Sequence, residues 1–283
     1  MATDAVGEAA PAKLNLCLHV TGRRADGYHL LESLVVFADL ADRVSAASGQ
    51  GLSLQVTGPE AAGLGAEPDN LVLRAARAMG VTDAALVLDK HLPVAAGIGG
   101  GSADAAATLR ALSRLTGRPM PSDAEVLQLG ADVPVCLAGR PARMTGIGEM
   151  LAPLPSLPPL WAVLANPRVA VPTPQVFAGL SRRENPPLPD LPPAALASAQ
   201  TFTDWLGSHS RNDLVAPAHT IAPVLAKMQA SLAATPGCLL ARMSGSGGTH
   251  VALYASPEEA MAARQSLAAA HPGWWIASGQ ILA

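Results

Sequence analysis

Residues 93–104 read PVAAGIGGGSAD and place four glycines, at positions 97, 99, 100 and 101, directly before Ser102. Glycine lets a backbone approach a ligand closely and turn its N–H groups towards it. The alanine-rich stretch that follows predicts a helix from about Ser102 to Leu115, and a helix N-terminus adds the positive end of its dipole. The segment therefore predicts an anion site and favours the phosphates of a nucleotide. The Ser102 hydroxyl is placed to hold a phosphate oxygen or a magnesium ion.

Two familiar phosphate-binding motifs do not match this glycine loop. A dinucleotide-binding G-x-G-x-x-G pattern would start at Gly97 and would need glycine where the chain has Ser102. A Walker A loop needs Gly-Lys followed by Ser or Thr, and the sequence contains no Gly-Lys pair. The alternative without a ligand is a flexible glycine turn that caps a core helix, but the run of glycines before a serine favours phosphate binding.

The composition is that of a globular protein with an aliphatic interior. Of 283 residues, 49% are hydrophobic, 14% are charged and 3% are aromatic, and the formal net charge is −3. Such a charge gives no general attraction for nucleic acid or for an anionic membrane. No uninterrupted apolar run is long enough for a membrane span, and the first five residues lack the pattern of a secretory signal. We therefore expect a cytoplasmic protein that binds neither nucleic acid nor membranes.

Cysteine and histidine spacing predicts no built-in metal site. Cys17, Cys136 and Cys238 are odd in number and far apart, so they form neither a disulfide framework nor a C-x-x-C pair. The 7 histidines show no H-x-x-x-H or H-E-x-x-H spacing.

Periodicity predicts alternating strands and helices. The alternation from Lys13 to Val20 predicts a half-buried strand, with leucines and valine on the core face and Lys13 and Asn15 on the other. Further strands are predicted over 30–40, 52–56, 85–89, 161–165, 238–243, 249–254 and near 274. Helices are predicted over 71–79 with Asn70 as its cap, over 102–115, from the Ser122–Glu125 capping box to about 130, from 173, over 217–233 and from 256. Prolines at 153–159 mark the boundary between domains at 1–155 and 156–283, and the second half predicts helices on one face of an antiparallel sheet.

Lys13 and Asp132 are the candidate reactive pair. The chain has three lysines, Lys13, Lys90 and Lys227, against sixteen arginines. An ammonium can approach a phosphate as a point charge, although a surface charge on a strand explains Lys13 equally well. Asp132 follows a helix inside an apolar stretch, and capping the next turn is its simplest explanation. Beside an ammonium it would stay ionised and could take a proton from a substrate hydroxyl.

Further segments carry a resemblance to a known family. APAKLNL at 10–16 is followed by RADGYH at 24–29, and GADVP at 130–134 and MSGSG at 243–247 come later in the same order. With the glycine loop, these segments resemble the motifs of the GHMP kinases over about residues 10–255. The Asp-Gly-Tyr-His element at 26–29 is similar to the branch that phosphorylates the 2-hydroxyl of 4-diphosphocytidyl-2-C-methyl-D-erythritol in the non-mevalonate isoprenoid route.

The resemblance implies an α+β fold of two domains with the active site in the cleft between them. The N-terminal domain is expected to resemble domain 2 of ribosomal protein S5, and the C-terminal domain to be a ferredoxin-like α+β layer. The expected cofactors are ATP and Mg²⁺, the latter near Ser102, and the expected partner is the small-molecule substrate of a monomer or homodimer. A sibling GHMP kinase with another alcohol would not need Tyr28 and His29. A non-catalytic nucleotide-binding regulator would be expected to lack Lys13 or Asp132.

The resemblance also implies roles for individual residues. Lys13 and Asp132 would be the catalytic pair. Many members have a second serine where this chain has Ala103, which removes one hydroxyl from the phosphate site. The substrate side would comprise Asn15, His29 reading the cytosine edge, and Tyr28 and Phe177 beside the base. The ATP side would comprise Asn70 and Lys90 near adenine, and Pro93, Val94, Ala95, Ala96, Gly97, Ile98, Gly99, Gly100, Gly101, Ser102 and Ala103 around the phosphates.

Overall fold

The computed structural model describes residues 5–64, 69–94 and 96–282. Its strands are β1 (Val6–Asn15), β2 (His19–Arg23), β3 (His29–Ser48), β4 (Leu52–Thr57), β5 (Ala84–Asp89), β6 (Ala142–Gly146), β7 (Met150–Pro153), β8 (Trp161–Asn166), β9 (Leu240–Met243), β10 (His250–Tyr254) and β11 (Trp275–Leu282). Its helices are α1 (Leu71–Ala78), α2 (Gly100–Thr116), α3 (Asp123–Leu129), α4 (Val133–Ala138), α5 (Thr173–Ala178), α6 (Ala199–His209), α7 (Val215–Ile221), α8 (Val224–Ala233) and α9 (Pro257–Ala270), with a 3₁₀ helix over Pro193–Ala197. Within these described ranges, no helix combines the length and the apolar character needed to cross a membrane.

The chain forms two compact units, and neither is continuous in sequence. The first unit comprises Met1–Ala12, Ala41–Val94 and Gly99–Gly139, and the second comprises Lys13–Leu40, Ala95–Ile98 and Arg140–Ala283. The predicted boundary divides the chain once, at residue 155. In the structure, Lys13–Leu40 and Ala95–Ile98 group with the C-terminal half. The division into 1–155 and 156–283 stays a prediction about the two sequence domains.

The first unit packs short helices with a small sheet. β4 runs parallel to β5, and β5 runs antiparallel to residues 43–48 of β3. Asn70 caps α1 by accepting a hydrogen bond from the Val72 amide, and the Ser122–Glu125 capping box starts α3, so both predictions are confirmed. Buried alanines line α2, and their small side chains let its backbone pack closely on its neighbours.

The second unit is built on an antiparallel sheet, as predicted. β11 pairs with β8, β8 with β10, and β10 with β9, all antiparallel. Residues from α5, α7, α8 and α9 join the strands in one hydrophobic core. The first half of β3 pairs with β2 and β6, and β6 forms a hairpin with β7.

Three predictions of local structure were wrong. The predicted strand over 13–20 ends at Asn15, β2 begins at His19, and the polar face is buried as well as the apolar face. The predicted helix over 217–233 is divided into α7 and α8 at Pro223, because proline lacks an amide donor and disfavours helical geometry at the preceding residue. Helix α2 begins at Gly100 rather than Ser102, because Gly99 is its left-handed N-cap. Helices α4 and α6 and strands β6 and β7 were not predicted.

Candidate active site

Three backbone acceptors hold residues 96–98 of the glycine loop within the second unit. The carbonyl of Ala96 accepts a hydrogen bond from the Thr249 amide (2.9 Å), and the carbonyl of Ile98 accepts one from the Lys13 amide (3.0 Å). The carbonyl of Gly97 accepts one from Ser244 Oγ (3.0 Å). The loop is therefore bonded to two other segments that sequence analysis singled out, the Lys13 segment and the glycine turn at 243–248.

Backbone packs directly on backbone where the glycine loop meets that turn. A Cβ on Gly97 would lie 2.4 Å from the carbonyl oxygen of Gly247 and 2.7 Å from that of Ser244, and the φ of Gly97 is +72°. A Cβ on Gly245 would lie 2.9 Å from the carbonyl oxygen of Gly97. Side chains are excluded at these positions by both space and backbone conformation, so glycine is required here for a physical reason.

Lys13 is a buried cation in a hydrogen-bonded network. Its side chain donates to Asn15 Oδ1 (2.7 Å), and Asn15 Nδ2 donates to Ser33 Oγ (2.7 Å), which in turn donates to the carbonyl of Cys17 (2.6 Å). Ser244 Oγ accepts from the Asn15 amide (3.0 Å). Lys13 is 3% exposed, so the reading of Lys13 as a surface charge is wrong. Burying an ammonium lowers the free energy of unfolding by several kcal/mol unless its surroundings compensate, so stability alone is a poor reason for a lysine at this position.

The N-terminus of α2 lies in the first unit. Gly99 takes a left-handed conformation (φ 63°), and no side chain caps the first turn of the helix. Ser102 is half-buried, and a Cβ on Gly130 would lie 3.8 Å from Ser102 Oγ, so the hydroxyl faces the turn that carries Asp132. Ala103 is 1% exposed and is buried within the unit, so its methyl group does not line the loop surface.

Asp132 occupies the N-cap position of α4 but does not cap it. Its φ of −88° and ψ of −8° lie in the sparsely populated bridge region, and its side chain makes no capping hydrogen bond. The residue is half-buried. The capping explanation favoured by the residues alone is therefore wrong.

The remaining residues predicted for ATP are spread over different environments. Pro93 is buried, whereas Val94 is 49% exposed. Ala95 lies outside the described residues. The Asn70 side-chain oxygen is used to cap α1. Lys90 is 2% exposed, and its ammonium is paired with two buried carboxylates. Its place near adenine stays a prediction.

Two residues predicted for the substrate base lie together in the second unit. The rings of His29 and Phe177 are stacked, with centroids 4.8 Å apart and an interplanar angle of 26°. Burial lowers the pKa of His29, and the Arg23 and Arg183 charges lower it further, so the ring is neutral near pH 7. Its Nε2 is buried and has no hydrogen-bond partner among the described residues. Tyr28 is 58% exposed. A neutral imidazole with an unused ring nitrogen beside an aromatic face suits the recognition of a nucleobase.

Sequence reasoning missed several residues that hold this arrangement. Ser33 lies inside an apolar strand, and a lone hydroxyl in such a run is a usable signal for a buried hydrogen bond. Asp42 and Asp104 become partners of Lys90 only through the fold, and no spacing in the sequence indicates that contact.

Comparison with known proteins identifies the family. The GHMP kinase N-terminal domain matches residues 70–142, and the GHMP kinase C-terminal domain matches residues 195–273. The 4-diphosphocytidyl-2-C-methyl-D-erythritol kinase of Cereibacter sphaeroides is 61% identical over 94% of this chain and 96% of its own. The enzyme of the same name from Rhodospirillum rubrum is 52% identical over 99% of this chain and 94% of its own.

Solved structures agree with this assignment. A crystal structure of 4-(cytidine 5'-diphospho)-2C-methyl-D-erythritol kinase matches with a TM-score of 0.78 and 34% identity over 98% of this chain and 99% of that one. The mevalonate kinase of L. major, solved in complex with R-mevalonate, has a TM-score of 0.67 at 18% identity over 98% of this chain and 96% of its own, which shows a shared fold alone. The predicted α+β fold is confirmed. The chain belongs to the GHMP kinases and, within them, to the family of the 4-diphosphocytidyl-2-C-methyl-D-erythritol kinases.

Proposed function

We propose that the protein transfers the γ-phosphoryl group of ATP to the 2-hydroxyl of 4-diphosphocytidyl-2-C-methyl-D-erythritol. The observation that carries this proposal is the network that joins the buried Lys13 ammonium, through Asn15 and Ser244, to the carbonyl of Gly97 in the glycine loop. Family membership supplies the reaction class, and the close relatives, through their names, supply the substrate. A cytoplasmic location and a monomeric or homodimeric state stay predictions.

The phosphates of ATP are assigned to the glycine loop and the first turn of α2. Phosphoryl transfer asks a protein mainly to position its reactants and to neutralise charge. The uncapped amides of α2 and its dipole supply fixed positive potential without side-chain reorganisation. The Ser102 hydroxyl is an oxygen ligand of the kind that Mg²⁺ prefers, so Ser102 would hold the ion. There it would neutralise charge on the phosphates.

Asp132 is assigned as the base and Lys13 as the fixed positive charge. The acceptor is a tertiary alcohol and a weak nucleophile, so a positioned carboxylate that takes its proton is expected to contribute a factor on the order of 10²–10⁴ in rate. Asn15 holds the ammonium of Lys13 in a defined direction, and that charge would stabilise the negative charge that develops on the transferred group.

His29 and Phe177 are assigned to the cytosine ring, with Tyr28 beside them. Base stacking on an aromatic side chain is worth about 1–3 kcal/mol in single-stranded nucleic-acid sites. The neutral His29 ring can donate from one nitrogen and accept at the other, which matches the mixed donor and acceptor edge of cytosine.

The test is an ATP-consumption assay with the purified protein and a panel of alcohols. We expect turnover with the cytidylated erythritol and none with mevalonate, homoserine or galactose. Absence of turnover with the cytidylated compound, or comparable turnover with another alcohol, would contradict the proposal.

Matched variants test the catalytic pair in the same assay. Lys13→Met and Asp132→Asn keep side-chain size and are expected to lower kcat at least a hundredfold. Lys227→Met and Asp123→Asn remove the same charges from exposed positions and should turn over like the wild type. The circular dichroism spectrum and unfolding midpoint of each variant show whether it is folded. A folded Lys13 or Asp132 variant with wild-type kcat would refute the assigned role.

A further inference from the structure

Three charged side chains are buried together in the first unit. Asp42, Lys90 and Asp104 are 1%, 2% and 3% exposed. The ammonium of Lys90 forms ion pairs with both carboxylates, and its distance to Asp104 Oδ2 is 2.9 Å. We call these three residues the buried ion cluster.

The buried ion cluster contacts the chain on both sides of the glycine loop. Both flanking segments belong to the first unit. At the entry, the second carboxylate oxygen of Asp42 accepts hydrogen bonds from the amides of His91 (2.6 Å) and Leu92 (2.8 Å). At the exit, Asp104 lies in the second turn of α2. A Cβ on Gly100 would lie 3.1 Å from the Lys90 ammonium, which therefore sits against the first residue of the helix.

Stability alone does not account for this cluster. Desolvating several charges costs about as much as their attraction returns, and well-packed apolar residues often replace such groups without loss. In addition, one oxygen of Asp104 is buried and has no hydrogen-bond partner in the part of the chain that the structure describes. Burial raises the pKa of Asp104 to about 7, although the Lys90 charge works against that rise. For Lys90, burial acts to lower the pKa, but Asp104 and Asp42 together outweigh it and raise the pKa, so the ammonium stays charged.

We propose that Lys90 is a positioning residue that orients the first turn of α2 towards the phosphates of ATP without touching the nucleotide. Asp42 fixes Lys90 and the amides of the loop entry, and Lys90 holds Asp104 and hence the helix start. Ion pairs are short and specific in geometry, so they fix the position of Lys90 relative to Asp42 and Asp104 more closely than apolar packing would. This inference rests on the proposed ATP site and gives Lys90 a role other than the predicted one near adenine.

Two variants separate positioning from stabilisation. Lys90→Met leaves two buried carboxylates without their cation, so its unfolding midpoint should fall. Lys90→Met combined with Asp104→Asn removes one of those charges and should recover much of the midpoint. If Lys90 positions the helix, the KM for ATP stays at least tenfold above wild type in both variants, while the KM for the alcohol changes less than twofold. A KM for ATP that recovers with the midpoint would overturn the proposal.

A single isosteric change tests whether Lys90 contacts the nucleotide directly. Asp104→Asn weakens the hold on Lys90 without deleting the ammonium, and it is expected to fold if Lys90→Met does not. A positioning role predicts at least a threefold rise in the KM for ATP. An unchanged or lowered KM would overturn the proposal. Lys227→Met is the control for loss of a lysine charge.

Amide hydrogen exchange at residues 100–104 measures the order of the helix start without any substrate. We expect faster exchange in Lys90→Met than in the wild type, and equal exchange would contradict positioning. This readout keeps the two proposals apart. A wild-type protein that fails to phosphorylate the cytidylated erythritol would end the proposed function, whereas faster exchange at 100–104 would still support the connection between Lys90 and α2.

Discussion

Replacing Gly97 by alanine tests the contact that joins the glycine loop to the turn at 243–248. The added Cβ would lie 2.4 Å from the Gly247 carbonyl oxygen, where ordinary contact begins at 3.4 Å, so about 1 Å of backbone movement is needed. Gly117 has nearly the same φ, +70° against +72°, and nothing within 4 Å of the corresponding Cβ position. Gly117→Ala therefore carries the cost of backbone conformation alone.

The difference between the two variants isolates the close approach. A left-handed conformation costs an L-residue about 1–2 kcal/mol, and the lower entropy of the unfolded chain returns about 0.4–1 kcal/mol. Gly117→Ala should thus lower the free energy of unfolding by about 1 kcal/mol or less. Overpacking adds about 1–3 kcal/mol for Gly97→Ala, and neither acceptor is a side chain that can rotate away. We expect a difference of about 2 kcal/mol between the variants.

Urea unfolding of both variants measures this difference, and steady-state kinetics measures its effect on the loop. Gly97→Ala should raise the KM for ATP at least tenfold, since displacement of the loop moves the phosphate amides. Gly117→Ala should leave that KM within twofold of wild type. Equal unfolding free energies, or equal values of KM for ATP, would refute the argument that backbone contact at Gly97 shapes the phosphate site.

Three further predictions concern other groups. His250 is fully buried, and burial lowers its pKa to about 3, so the unfolded chain takes up a proton below pH 6.5 that the folded chain refuses. His250 by itself should lower the free energy of unfolding by about 2 kcal/mol between pH 8 and pH 5, measured in urea titrations as the difference in pH dependence between the wild type and His250→Leu. Ser33→Ala leaves Asn15 Nδ2 without its acceptor and should lower the free energy of unfolding by about 1–3 kcal/mol, whereas the exposed Ser48→Ala should lower it little; equal losses would count against the network. His29→Ala should raise the KM for the cytidylated substrate far more than that for ATP, and equal effects would make His29 structural.

Local signals in the sequence predicted much of the first unit. The Asn70 cap and the Ser122–Glu125 capping box act over three residues, so their outcome needs no distant partner. Predictions failed where distant segments decide. The alternation at 13–20 correctly indicates an extended chain. Only the packing shows that Lys13 and Asn15 are buried, and that one strand ends at Asn15 before the next begins at His19.

The glycine loop was enough to indicate a phosphate site, because close backbone approach and helix-dipole geometry demand particular residues at particular spacings. Kinase activity was indicated by the resemblance of this loop, the Lys13 segment and the Asp-Gly-Tyr-His element to the motifs of the GHMP kinases. The tertiary structure decided which groups meet. It stacked His29 on Phe177, bonded Asn15 to Ser33, and enclosed Lys90 between carboxylates. These contacts join residues far apart in the chain, and burial, which no local pattern records, sets how their charges behave.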